Sequence, residues 1–453
     1  MASYPENSVV KDADIIITNA LVVTMDSSFR VIPSGGVAIK ADKIIAVGDS
    51  KEILQAYQAP IVLDGTKKLL MPGLINCHTH SPMTIFRGYA DDMPLKKWLY
   101  EYIFPVESAF INPETVQLGT RLAVAEMLRS GTTTFNDMYY YIDEMVDVVE
   151  NTGIRAFLSH GLIDFPVPGC PDPEFGFRFT EEMIQTYNYH PRINVGVAVH
   201  ANYSSAGEIY RKGHSLAAKY GVHFHTHLAE TRWEFDLVQK EYGVTPVKYL
   251  DNLGVLDEHM VAAHCVHLTE EDIDILAEKR VGVAHNPQCN MKLASGVAPI
   301  PALLQRGVRV GIGTDGVASN NDLDLFDEMR TAAFLHKLNG NDPSLMDART
   351  VLEMGTIGGA RMLRADDQIG SVEVGKQADM IMLNLDQPHA HPIYNIYSLI
   401  IYSLRGADVD TSIVGGKVLM LNGNLMTLNE HSLYEQVEAL AEKVNQKSNA
   451  LIQ

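Results

Sequence analysis

"LLMPGLINCHTH", residues 69–80, is the stretch on which the reading of this chain turns. An apolar run is broken by Pro72-Gly73, resumes, and ends in two histidines one residue apart. Side chains two positions apart on a strand face the same side. His78 and His80 therefore share one face, and Cys77 and Thr79 take the other. Two imidazoles on one face suit a divalent metal that prefers nitrogen and oxygen ligands, zinc above all.

Seven further runs share this short, β-branched character: "TTTFNDM" (132–138), "RAFLSHGLID" (155–164), "INVGVAVHA" (193–201), "VHFHTHLAE" (222–230), "MVAAHCVH" (260–267), "VGVAHNP" (281–287) and "VRVGIGTDG" (308–316). Helical patterns such as "PETVQLGTRLAVAEMLRSG" (113–131) and "TEEDIDILAEKR" (269–280) separate most of them. Strands alternating with helices predict a parallel sheet. Eight such units over about 300 residues predict an α/β fold, a closed (β/α)8 barrel of the TIM type.

The flanks read differently. "DIIITNALVVTMD" (14–26), "GGVAIKADKIIAVG" (35–48) and "PIVLDG" (60–65) are short strands punctuated by glycine and aspartate. The style returns in "GSVEVGKQADMIMLNLD" (370–386) and "VDTSIVGGKVLMLNGNLM" (409–426). We expect a small β-sandwich built from both chain ends, residues 1–68 and 367–427, around a barrel at 69–366. "LYEQVEALAEKVNQKSNALI" has helical spacing, so 428–453 is expected to be a C-terminal helix.

Composition narrows the function. The chain has 453 residues, 46% hydrophobic and 20% charged, an ordinary globular profile. Its formal charge of -20 repels phosphate backbones and anionic lipid, so neither nucleic acid nor membrane is expected as a partner. No apolar run approaches the ~20 residues that span a bilayer. The N-terminal "MASYPENSVVKDAD" lacks a secretory pattern, and the four cysteines lie far apart with no CxxC pair. Both features fit a reducing, cytoplasmic location.

In a barrel of this type the active site lies at the C-terminal ends of the strands. His78 and His80 end the first strand, His227 and Glu230 the fifth, His264 the sixth and Asp315 the eighth. His227 adds a third nitrogen and Asp315 a carboxylate oxygen, leaving one position for water. Each residue alone has an ordinary reading: Asp315 as a helix cap, Glu230 as a solvated loop acid, His264 as a core histidine. Their coincidence on one face favours a metal site with His78, His80, His227 and Asp315 as ligands. Glu230 follows as general acid/base, and His264 as a fifth ligand or a holder of the water. His225, His267 and His285 keep ordinary structural readings. The fourth strand carries no Lys, Asp or Glu that could bridge two metals, so one ion is expected per subunit.

"PGLINCHTH", "HTHLAE", "AAHCVHL", "HNPQCNMKLASGVAP" and "GIGTDGVASNNDLDLFDEM" resemble the amidohydrolase superfamily. More closely they resemble its 5-methylthioadenosine/S-adenosylhomocysteine deaminases, over nearly the whole chain. The resemblance implies zinc, with iron or manganese compatible with the same ligands, and water activated there to attack C6 of an adenine nucleoside. It implies that Glu230 protonates the ring, that His264 orients the water and that Asp315 relays a proton to the departing ammonia. It also implies substrate contacts: Glu107 in "FPVESAF" to the ribose hydroxyls, His200 in "VAVHANY" to the purine, and Arg178 in "GFRFTEEM" near an amino-acid tail. The family usually forms dimers or tetramers.

Two departures stand out. The family often has Ser-Arg-Gly on the third strand, where "LSHGLID" has His160, and serine where Cys289 stands. A largely neutral histidine is a poorer carboxylate clamp than arginine. Weaker preference for S-adenosylhomocysteine is therefore expected, in favour of 5-methylthioadenosine, adenosine or 5-deoxyadenosine. Two other functions use the same motifs: hydrolysis of another heteroaromatic ring, such as an s-triazine or guanine-like base, and a non-catalytic binding protein.

Overall fold

Pro72 and Gly73 divide the opening stretch between two sheets. A computed structural model describes residues 10–451. Residues 1–9, part of the polar N-terminal stretch read above, and 452–453 lie outside it. Lys68–Pro72 pairs antiparallel with Met380–Asn384, whereas Leu74–Thr79 is the first strand of the barrel. Gly73 is required where they meet: a Cβ there would lie 2.0 Å from Thr133 Oγ1. Gly73→Ala should therefore destabilise the protein by about 1–3 kcal/mol through overpacking, read as a lower urea midpoint.

The barrel strands are β1 (Leu74–Thr79), β2 (Thr132–Tyr139), β3 (Arg155–Leu162), β4 (Ile193–Val199), β5 (Phe224–Leu228), β6 (Met260–His264), β7 (Gly282–His285) and β8 (Arg309–Ile312). All neighbours pair in parallel and in sequence order. The ring is nearly closed between its two ends, where Asp315 N donates to the His78 carbonyl at 2.9 Å and Asn76 Nδ2 to Thr314 Oγ1 at 2.8 Å. The eight runs read from the sequence are these eight strands.

The helices between them obey local rules. Ile142–Thr152 buries Ile142, Met145, Val146 and Val149 at helical spacing and stops at Gly153, with φ +89. Side chains of Asn112, Asp172, Thr231 and Thr269 cap other helices by accepting a backbone N–H of the first turn. Helix Glu430–Leu451 packs Leu433 beside Leu118 and Ala125 of helix Pro113–Arg129.

Strands from both chain ends form one mixed sheet of nine strands. Ile15–Val23 and Lys68–Pro72 come from the N-terminal part, Met380–Asn384 and Val409–Val414 from the C-terminal part. Ile17, Val22, Leu70, Met380 and Ile413 share its core. The sheet is tied to the barrel by a buried ion pair, Arg155 Nε to Asp379 Oδ2 at 2.6 Å. All four cysteines are free and buried. Among the described residues no helix is long and apolar enough to cross a membrane.

Candidate active site

Strand alternation brings His78 and His80 to the barrel mouth beside His227 and Asp315. The ligand atoms of these four residues lie within 4.8 Å of one another. Asp315 Oδ1 is 3.3 Å from His78 Nε2 and 3.2 Å from His80 Nε2, and His80 Nε2 is 3.2 Å from His227 Nε2.

The outer nitrogen of each imidazole is already engaged. His80 Nδ1–H donates to the Met138 carbonyl at 2.6 Å, and His227 Nδ1–H to the His200 carbonyl at 2.7 Å. Those bonds leave both Nε2 atoms directed inward. His78 Nδ1 meets His225 Nε2 at 3.0 Å, and His78 Nε2 is buried without a hydrogen-bond partner. Three ring nitrogens and a carboxylate oxygen thus converge on one small space, an arrangement that suits a shared cation. This donor set fits a divalent ion, and the bonds to the outer nitrogens are the orienting contacts such a site needs.

Backbone strain gathers around this cluster. Ala229, His264, Cys265 and Asp315 have φ of +51, +71, +49 and +62, values that cost a non-glycine residue energy. The turns at the ends of β5, β6 and β8 aim three polar side chains inward. Glu230 is 3% exposed, and its Oε2 is 3.9 Å from His264 Nε2. Burial raises the Glu230 carboxyl above the usual carboxylate range, although His264 opposes the shift. His264 Nδ1 is held by Asn290 Oδ1 at 2.9 Å. Cys289 Sγ and Ser319 Oγ reach Asp315 Oδ2 at 2.8 and 2.9 Å, so the cysteine departure sits directly on the carboxylate.

Above the cluster opens a cavity. Its walls include His80, His227, Glu230, His264 and Asp315, with Trp98, Leu99 and Phe104 from the segment that follows β1. Glu107, on helix Phe104–Phe110, is buried in the same cavity and accepts a hydrogen bond from Tyr139 Oη at 2.6 Å. Burial lifts its carboxyl to about 7 despite that donor. His200 also lines the cavity, its Nδ1 2.7 Å from Ser204 Oγ, and burial pushes its pKa down to about 3, so the ring is neutral.

His160 and Arg178, expected at the substrate, lie elsewhere. Gly161 lines the cavity, so alternation along β3 turns His160 outward. Its ring packs 5.5 Å from Phe179, and both ring nitrogens are buried without a partner. Arg178 is exposed on helix Pro173–Tyr187. Conversely, His225 does more than fill the core, since it holds His78. The signal was present in "HTHLAE", whose two histidines repeat the HxH pattern one layer deeper in the barrel. His285 pairs with His336 at 3.0 Å and His267 with the Ser295 carbonyl at 2.8 Å, both structural contacts. Tyr139, Tyr203 and Trp98 in the cavity wall carried no sequence signal.

Comparison with known proteins agrees with this geometry. A family model described as "Amidohydrolase family" matches residues 69–419. The chain is 43% identical over 432 residues to a 5-methylthioadenosine/S-adenosylhomocysteine deaminase of Syntrophobacter fumaroxidans, covering 95% of this chain and 98% of that one. It is 42% identical over 440 residues to a 5'-deoxyadenosine deaminase of Methanosarcina acetivorans, covering 97% and 100%. Among solved structures, an adenosine deaminase from Xanthomonas campestris with bound zinc superposes with a TM-score of 0.95 at 37% identity, covering 96% and 100%.

Proposed function

The chain belongs to the amidohydrolase family, and from that membership we propose that it is a metal-dependent deaminase of adenine nucleosides. The reaction adds water at C6 and releases ammonia, leaving an inosine-type product. The observation that carries this reading is the facing of Glu230 and His264 toward the four-ligand cluster in the cavity that also holds Glu107.

His78, His80, His227 and Asp315 would hold a divalent ion, with zinc the first choice, which would supply Lewis-acid activation of water at neutral pH. Asp315 takes a proton from the attacking water and passes it to the departing amino group. Glu230, whose carboxyl is raised by burial, gives a proton to a nitrogen of the purine ring as C6 becomes tetrahedral and takes one back from the C6 hydroxyl as ammonia leaves. His264, with Nδ1 engaged by Asn290, offers Nε2 to hold the water. Tyr139 occupies Glu107 Oε1, which leaves Oε2 to accept from the ribose hydroxyls. His200, neutral and at the wall, contacts the purine. Incubating the zinc-loaded protein with adenosine, 5-methylthioadenosine, 5-deoxyadenosine and S-adenosylhomocysteine, and following ammonia and loss of the adenine absorbance, tests the proposal. No turnover of any of the four would sink it.

Two finer expectations follow from the cavity. No lysine or arginine is among its lining residues, and Trp98, Leu99, Ile103 and Phe104 form an apolar wall. An amino-acid carboxylate finds no cation there, and a charge-assisted hydrogen bond contributes about 1.5–3 kcal/mol. We expect kcat/KM for 5-methylthioadenosine to exceed that for S-adenosylhomocysteine by about tenfold or more. Equal values would mean that a cation outside the wall reaches the tail.

Glu107→Ala should lower kcat/KM for adenosine by about 10²-fold while changing turnover of free adenine far less, because only the ribose loses its acceptor. Glu107 accepts from both hydroxyls only when ionised, and its carboxyl is lifted to about 7. KM for adenosine should therefore fall as pH rises through about 7, and the Ala variant should lose that dependence. Membership of the family leads us to expect a dimer or tetramer, which light scattering would test.

A further inference from the structure

Glu234 takes no part in the chemistry above, yet its carboxylate is completely buried. It lies in the first turn of helix Arg232–Tyr242, whose N-cap is Thr231. A glutamate at that position usually reaches back to the N–H of the cap residue itself. Here it reaches past the cap. Oε2 accepts from Glu230 N at 2.8 Å, and Oε1 accepts from Ala229 N at 3.0 Å and Asn202 Nδ2 at 3.3 Å.

The two backbone amides belong to the turn that aims Glu230. Ala229 is held at φ +51, a conformation that an alanine leaves readily without support. The Ala229 carbonyl in turn accepts from Val266 N at 3.0 Å and His267 N at 2.9 Å, on the loop that carries His264. One carboxylate thus braces the strained turn of the fifth strand and, through it, the loop after the sixth.

Building on the deaminase reading, we infer that Glu234 is a positioning residue: its two hydrogen bonds to consecutive amides hold the left-handed turn at Ala229 and so set the carboxyl of Glu230 against the substrate. Small displacements of a catalytic group lower the rate steeply, while binding through Glu107 and the cavity wall is untouched. The effect should therefore fall on kcat rather than on KM.

The test uses the full-length, zinc-loaded protein with adenosine. Glu234→Gln replaces one acceptor by an NH2 group that faces a backbone N–H. Its kcat should fall roughly 10- to 100-fold, with KM within about threefold and one metal ion still bound per chain. Adding Ala229→Gly should recover much of the loss, because glycine adopts positive φ without strain. Glu234→Asp keeps the charge but withdraws the carboxylate, and should be as impaired as the Gln variant. In the parent protein, hydrogen exchange at the Ala229 and Glu230 amides should be slow, a readout that needs no folded variant. Parent-like kcat in Glu234→Gln or Glu234→Asp, no recovery with Ala229→Gly, or fast exchange at the two amides would overturn the inference. A parent protein that deaminates no nucleoside would instead overturn the deaminase reading itself.

Discussion

Glu230→Gln is expected to lower kcat for adenosine by about 10³-fold, with little change in KM and none in bound metal. The amide keeps the volume of the carboxyl in a site where the side chain is only 3% exposed, so packing is preserved. What it loses is a transferable proton. Glu230 lies outside the set of four ligands, so the metal count should stay at one per chain. General acid catalysis contributes typically about 10²–10⁴ in rate, and burial has already brought this carboxyl toward the protonated form that such an acid requires. Steady-state kinetics together with metal analysis of the same preparation would check it. A variant that kept more than about a tenth of the parent kcat would remove Glu230 from the role of proton donor.

Stripping the metal should have the larger effect. Turnover should disappear with a strong chelator and return on adding one equivalent of zinc, because Asp315 as a base without a Lewis acid leaves the water far from ionised at neutral pH. Stability should change as well. His80 Nε2 and His227 Nε2 stand 3.2 Å apart, and Asp315 Oδ1 lies beside them. A bound cation is held by all of these groups together, and any ligand of the native state stabilises by mass action, about 4 kcal/mol at free ion 1,000-fold above Kd. The apo-protein should therefore melt below the zinc form. Asp315→Asn should mimic the loss, since it weakens a ligand and interrupts the proton relay together. An apo-protein that deaminates adenosine at the parent rate would end the metal-dependent reading.

Most of the barrel could be read in advance because each of its strands carries a local signal. "INVGVAVHA" and "VGVAHNP" are short apolar runs between helical patterns, and period-two alternation is a property of a few consecutive residues. The same alternation predicted that His78 and His80 face one way. It misled only where a family position was carried over without asking which parity it had. His160 sits one residue before Gly161, which faces the cavity, so its ring is turned to the helical layer beside Phe179. Arg178 was taken into the site by position in a motif, and a helix surface exposed it instead.

Residue types and their periodicity alone were enough to predict eight strands, the four residues that the fold brings together as candidate ligands and a glutamate at the end of the fifth strand. Local geometry dictates these features, and alternation and capping need no knowledge of the rest of the chain. Other features depend on where distant segments come to rest. Tyr139 donating to Glu107, His225 backing His78 across the barrel, and Glu234 bracing the turn before Glu230 are such cases. Buried polar groups must find partners, but which partner they find depends on how the strands stagger around the ring, and no window of neighbouring residues records that.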